Sequence, residues 1–253
     1  MKLHALARSL ISLLPIGLLG LSLSACGIGE SLTAKTFTFK GELPADFSIK
    51  AQAHYSVANK CANGRSKAKS FTTEFQSTPQ QYNFDIPVTY RDGLCEMKLA
   101  RVGLFINGRY GEKDWQQTYY NGELRIVDEL PEKAPDFQAD DSLTKRAECT
   151  WWFQLSTAKS RLGEISKLLN CKGAGAYLVV DTLPGKTVQL DFQLNPIEKP
   201  AIAETWIEFP NGWKPCVDEV TEKGRWIWCR TPPLFKTFKM NGQECTVYPN
   251  CTE

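Results

Sequence analysis

From Thr36 onward, apolar and polar residues take turns along the chain. Phe37 and Phe39 alternate with Thr36, Thr38 and Lys40. Phe47, Ile49, Ala51, Ala53, Tyr55 and Val57 alternate with Ser48, Lys50, Gln52, His54 and Ser56, and Tyr82, Phe84, Ile86, Val88 and Tyr90 keep the same beat. Successive side chains of a strand point to opposite faces, so a period of two predicts half-buried strands. Pro87 lies on the outward set and has no N–H, which predicts an edge strand or a bulge. Met97 and Leu99 point one way, and Val102, Leu104 and Ile106 resume on the shifted phase. One extra residue near Ala100 or Arg101 accounts for that slip. Asp92-Gly93, Asn107-Gly108 and Asn121-Gly122 read as hairpin turns, with Leu124 and Ile126 in a strand beyond the third. Short strands between regular turn signals predict an antiparallel sandwich over residues 36–127.

The beat stops over residues 128–148, where Pro131 and Pro135 sit among Asp128, Glu129, Glu132, Asp136, Asp140 and Asp141. This reads as an acidic linker; the spacing and glycine of a calcium-binding EF-hand loop are absent. A C-terminal, disulfide-rich β domain is expected over 149–253. Within it Leu162, Ile165, Leu168 and Leu169 share a helical face, but Gly163 interrupts them. Residues 157–170 therefore read either as a helix or as irregular structure followed by a strand. Tyr177 to Leu183, the turn Pro184-Gly185 and Lys186 to Leu194 predict a hairpin, with Val188, Leu190, Phe192 and Leu194 on its buried side. Thr205 to Phe209 and Arg225 to Arg230 read as further strands, and the tail from Phe235 as ordered. The expected class is mainly β: two disulfide-braced antiparallel sandwiches, the second resembling the immunoglobulin-like fold.

The first 25 residues follow a different rule. Lys2 and Arg8 form a basic head, and residues 10–23 form an apolar run too short for a spanning helix, which needs about 20 residues. Such a segment predicts a cleaved secretory signal peptide. It ends in Leu23-Ser24-Ala25-Cys26, which resembles the lipobox of bacterial lipoproteins. The resemblance covers residues 1–26. It implies a chain cut before Cys26, acyl groups on that cysteine and a membrane anchor with no spanning segment. Two or more acyl chains suffice for stable anchoring. In that family glycine after the cysteine, here Gly27, implies the Gram-negative outer membrane. Residues 26–35 then form a short lipidated tether whose nine residues after Cys26 reach at most about 30 Å.

The mature chain would be close to electrically neutral. Losing Lys2 and Arg8 from 30 basic residues leaves them level with the 28 acidic ones. A nucleic-acid binder carries a clearly basic footprint, so nucleic acid is not an expected partner. An oxidising compartment turns the remaining cysteines into disulfide candidates. Proximity along the chain suggests Cys61–Cys95, Cys149–Cys171, Cys216–Cys229 and Cys245–Cys251, each worth about 2–4 kcal/mol.

Candidate chemistry is sparse. His54 is the one histidine left after the signal peptide, and it falls on the polar phase of a strand. There is no Gly-x-Ser-x-Gly elbow and no Cys-x-x-Cys, so neither a serine hydrolase nor a zinc site is expected. Gly185-Lys186-Thr187 suggests a phosphate loop, but Val180 stands where that loop needs glycine. No enzyme activity, cofactor or metal is expected. Aromatics remain: Trp151 with Trp152, and Trp226 with Trp228. Neighbouring strand residues cannot share one face, so one of an adjacent pair is a candidate partner-binding anchor. The globular part resembles immunity-like lipoproteins of type VI secretion in outline, without a diagnostic motif. Together these imply an outer-membrane lipoprotein facing the periplasm and binding a protein, such as a type VI effector. Envelope assembly or glycan and peptidoglycan binding is the other reading.

Overall fold

The computed structural model describes residues 34–61, 64–216, 218–220 and 227–252. Cys26, residues 1–25 expected as a signal peptide, and Trp226 lie outside them. Ten strands carry the body: β1 (Lys35–Leu43), β2 (Phe47–Val57), β3 (Lys67–Thr72), β4 (Gln80–Asp92), β5 (Cys95–Arg109), β6 (Gln117–Val127), β7 (Ser142–Leu155), β8 (Ile165–Lys172), β9 (Gly175–Val179) and β10 (Thr187–Pro200). They form one continuous ladder in the order β3-β2-β5-β4-β1-β10-β7-β8, with β6 and β9 branching from β5. The branch point explains the architecture. The lower end of β5 pairs with β4 through Thr89↔Lys98 to Asp92↔Cys95, while its upper part pairs with β6. β5 thus belongs to both layers of a sandwich. The bulge that lets it turn the corner sits at Ala100, where His54↔Arg101 is followed by Tyr55↔Leu99. A second register shift occurs opposite Pro87, and above Thr89, over residues 80–88, that edge of β4 is free of the β5 ladder.

The alternating residues fill one core. Phe37, Phe39, Ile49, Tyr55, Ile86, Leu104, Ala147, Cys149, Leu178 and Val188 belong to the same buried cluster. Several expectations need correction. The sheet is mixed, not antiparallel: β1 and β10, β10 and β7, and β6 and β9 run parallel. Residues 142–148, expected as part of the linker, are the first half of β7. The ladder and the core draw on strands from both sides of 128–148.

Two of the three turn signals lie inside strands. Asn107 and Gly108 pair with Ser48 and Phe47 on one side and with Tyr119 and Thr118 on the other. A Cβ on Gly108 would lie 2.6 Å from the ring of Trp151, so the glycine admits that indole to the core. Gly122 makes room for a different neighbour, because a Cβ there would collide with the Ala174 carbonyl. Only Asp92-Gly93 turns the chain, with Gly93 at φ 62°.

Residues 157–170 hold a three-residue 3-10 turn, Lys159–Arg161, and then β8; no α-helix occurs among the described residues. Gly163 has φ 75°, which a helix cannot contain, and pairing with β7 draws Ile165 and Leu169 into the interior. The hairpin expected over 177–194 is also absent. β9 pairs with β6 and β10 with β1 and β7, so the chain changes layers between them. The crossing segment closes the lower end of the core with Val180 and Leu183. Leu194, expected inside, is exposed.

Four disulfides join Cys61–Cys95, Cys149–Cys171, Cys216–Cys229 and Cys245–Cys251. Each bond links cysteines that are neighbours along the sequence.

Candidate functional site

Parallel pairing gives the body two distinct ends. β1 begins at Lys35 and runs parallel to β10, which continues to Pro200. The 14 residues of β10 span roughly 45 Å at about 3.3 Å each. Beyond it, the described residues of 201–252 form a cap at the end opposite the start of β1. Its described residues contain three two-stranded pairs, β11 (Trp206–Phe209) with β12 (Gly212–Pro215), β13 (Asp218–Val220) with β14 (Ile227–Cys229), and β15 (Phe238–Met240) with β16 (Gln243–Cys245).

Aromatic packing fixes the cap to the sheet. Phe153 of β7 meets Trp206 edge-on at 4.9 Å, Tyr248 at 4.3 Å and Trp213 at 6.0 Å. Ile165, Phe238 and Cys245 complete this second core. Backbone bonds run from Ala201 N–H to the Phe153 carbonyl and from Lys239 N–H to the Gly163 carbonyl, each 2.8 Å.

A polar clamp lies beside that core. Lys167 contacts Glu198 at 2.6 Å, and the Tyr248 hydroxyl donates to the same carboxylate. Burial, then Glu198, holds the Tyr248 phenol far above its ordinary pKa, so it remains a donor. Glu164 is buried and accepts from Gly242 N–H at 3.1 Å, and Gln116 donates to Asn241 at 3.0 Å. Gln116, Glu164, Lys167, Asn241 and Tyr248 line a cleft of about 220 Å³. Their polar groups are engaged with one another across cap and body.

Between cap and body lies an apolar groove of about 420 Å³, lined by Leu155, Leu162, Ile202, Trp206 and Pro215 with Ser156, Thr157, Thr205, Lys236 and Thr237. Leu162 is 66% exposed and Ile202 47%. Leu234 and Phe235 are exposed in the adjoining segment, where Phe235 packs on Phe209 at 5.6 Å and Lys214 lies over both rings. A larger hollow, about 660 Å³, lies against Leu43, Pro44, Pro79, Gln80, Gln81 and Gln193, and its lining mixes polar and apolar groups. Exposed apolar patches bounded by polar groups mark interaction surfaces, and the groove has that character.

The sequence-selected tryptophans are not gathered there. Trp151 is 5% exposed and packs on Phe47 and Tyr110, so it is a core residue and no anchor for a partner. Trp152 is half-buried on the other face, opposite Leu168. Trp228 pairs with Glu219 along the backbone; its side chain and all of Trp226 lie outside the description. Sequence reasoning missed Leu162 and Ile202. Both are apolar residues in loops, a signal that alternation does not register. His54 lies half-buried beside Arg101, and burial followed by that guanidinium lowers its pKa. Among the described residues no three His, Cys, Asp or Glu side chains are grouped to hold a metal ion, and no helix is long and apolar enough to cross a membrane.

Comparison with known protein families, characterised proteins and solved structures finds no match to this chain.

Proposed function

We propose that this protein is a lipoprotein of the Gram-negative outer membrane, tethered through Cys26, which binds a protein partner in the periplasm. The specific reading is an immunity protein that captures an incoming type VI secretion effector. The observation that carries it is the placement of the apolar groove, at the opposite end of the body from Lys35. A chain held at the membrane by the residues before β1 would present that groove away from the bilayer. Disulfides in cap and body suit a rigid gripping surface, because preorganisation lowers the entropy cost of binding.

The test has three readouts: the mature N-terminus, capture of the effector, and protection of cells challenged with it. Mass spectrometry of the mature chain is expected to find it starting at Cys26 with acyl groups attached. Pull-down from solubilised envelopes of cells challenged with a candidate effector is expected to recover that effector, and L162D/I202D to lose it. A protein starting elsewhere without lipid removes the tether. Loss of protection with L162D/I202D, while Cys26→Ser merely weakens it, assigns the function to the groove. Equal protection by L162D/I202D and the parent would rule the groove out.

A further inference from the structure

The hairpin between β4 and β5 presents a leucine to solvent at the end of the body away from the cap. Gly93 and Leu94 join the two strands, between the paired Asp92 and Cys95. Gly93 takes the left-handed φ of 62° at the first position of this two-residue turn, which leaves Leu94 at the tip. Leu94 is 94% exposed, more than any other large apolar side chain among the described residues. Single apolar residues on a surface are ordinary, but this one is firmly held. The Asn59 amide donates to the Leu94 carbonyl at 3.3 Å, and the Asn59 side-chain oxygen accepts from Glu96 N–H at 2.9 Å. The Cys61–Cys95 disulfide and the Lys67–Asp92 ion pair, at 3.0 Å, tie both sides of the turn to the segment joining β2 and β3. A tip fastened in this way loses little freedom when it meets a partner.

The position of the tip selects the partner. Lys35, the first residue of β1, pairs with Thr89, and the hairpin runs on to Asp92, about 10 Å past that rung. Ala34 and Lys35 enter β1 from the side on which Leu94 projects. Cys26 stands nine residues before Lys35 in the sequence, a separation of at most about 30 Å. On the reading that acyl groups on Cys26 tether the chain, the bilayer lies within that reach of Lys35, and Leu94 is on the near side. Lys60, Arg65, Lys67 and Arg91 flank the tip, with Asp92 and Glu96 among them. The segment 128–141 joins the lower ends of β6 and β7 at this same end, and its acidic residues offset those cations. Net charge therefore does not draw this end to a membrane, and the leucine has to carry the contact.

We propose that the Gly93-Leu94 turn is a membrane-contact point, whose leucine enters the headgroup–acyl boundary of the bilayer that tethers the protein. The proposal rests on the tethered reading given above. One leucine does not hold a protein on a membrane, but a tethered chain meets the surface at high effective concentration, where a weak contact suffices. With the tether as one fixed point and Leu94 as a second, the body stands in one orientation. Its cap, and the groove beside it, then face away from the lipid.

The test supplies the tether artificially, so that acylation of Cys26 and the contact at Leu94 can fail separately. Residues 26–253, with Cys26→Ser and an N-terminal histidine tag, are held on vesicles of phosphatidylethanolamine, phosphatidylglycerol and a nickel-chelating lipid. The same protein is held on nickel beads without lipid, and amide hydrogen exchange over residues 91–97 is followed by mass spectrometry. Vesicles are expected to slow that exchange about fivefold relative to beads. L94S is expected to abolish the slowing and L94F to keep it. The slowing is expected to persist in high salt, which screens attraction between charges. Because Leu94 is so exposed, both variants are expected to melt with the parent. Equal exchange on vesicles and beads overturns the proposal. So does slowing that L94S retains, or slowing that high salt removes, which would mean charge attraction alone.

Discussion

Two glycines on the same strand carry opposite consequences. At Gly108 a methyl group would press into the Trp151 ring, 2.6 Å from its nearest carbon. G108A is expected to lower stability by about 1–3 kcal/mol through overpacking. At Gly103 the same methyl finds room, and G103A is expected to raise stability by about 0.5–1 kcal/mol by limiting the unfolded chain. Chemical denaturation of both variants beside the parent checks the contrast, and a loss at Gly103 comparable with that at Gly108 would defeat it. His54 adds a pH effect. Burial and Arg101 lower its pKa in the folded protein from the ordinary 6.5. The unfolded chain therefore takes up a proton first, and stability falls as pH drops through 6.5 toward the lowered folded value. H54Q is expected to flatten that part of the stability profile, measured as melting temperature against pH.

At the scale of elements, the hold between cap and sheet depends on Glu198 at the upper part of β10. It serves both Lys167 and the Tyr248 hydroxyl. E198A removes the acceptor from two partly buried donors, a loss of about 1–3 kcal/mol. Limited proteolysis is expected to release the cap before the body is cut, whereas parent protein treated alike keeps both together. Strand existence, the slip at Ala100 and the turn at Asp92-Gly93 were legible because each is set by residues next to one another. The strand character of Asn107-Gly108 and Asn121-Gly122 was not. There glycine answers to Trp151 and Ala174, which arrive from distant parts of the chain. Residues 165–172 carry apolar positions compatible with helix, and pairing with β7 decides against it.

For the whole molecule, the decisive contacts are the parallel ladders β1–β10 and β10–β7, which bind the beginning of the body to its end. Their short register between β1 and β10, Thr38↔Thr187 to Lys40↔Gln189, ends where Gly41 lets the Leu190 carbonyl approach and the Tyr82 hydroxyl donates to it at 2.7 Å. Because β1–β10 share one core, calorimetry is expected to record one cooperative transition for the body. Separate melting of residues 36–127 and 149–200 would contradict that. The amino-acid order alone determined the β character, the inward positions of most strands and cysteines close enough along the chain to pair. These follow from side-chain alternation and short-range closure, both local properties. Only the tertiary structure decided which strands run parallel, which glycines make room for distant groups, and which apolar residues line a groove. Those outcomes depend on contacts between segments far apart in sequence, and no local pattern encodes the partner.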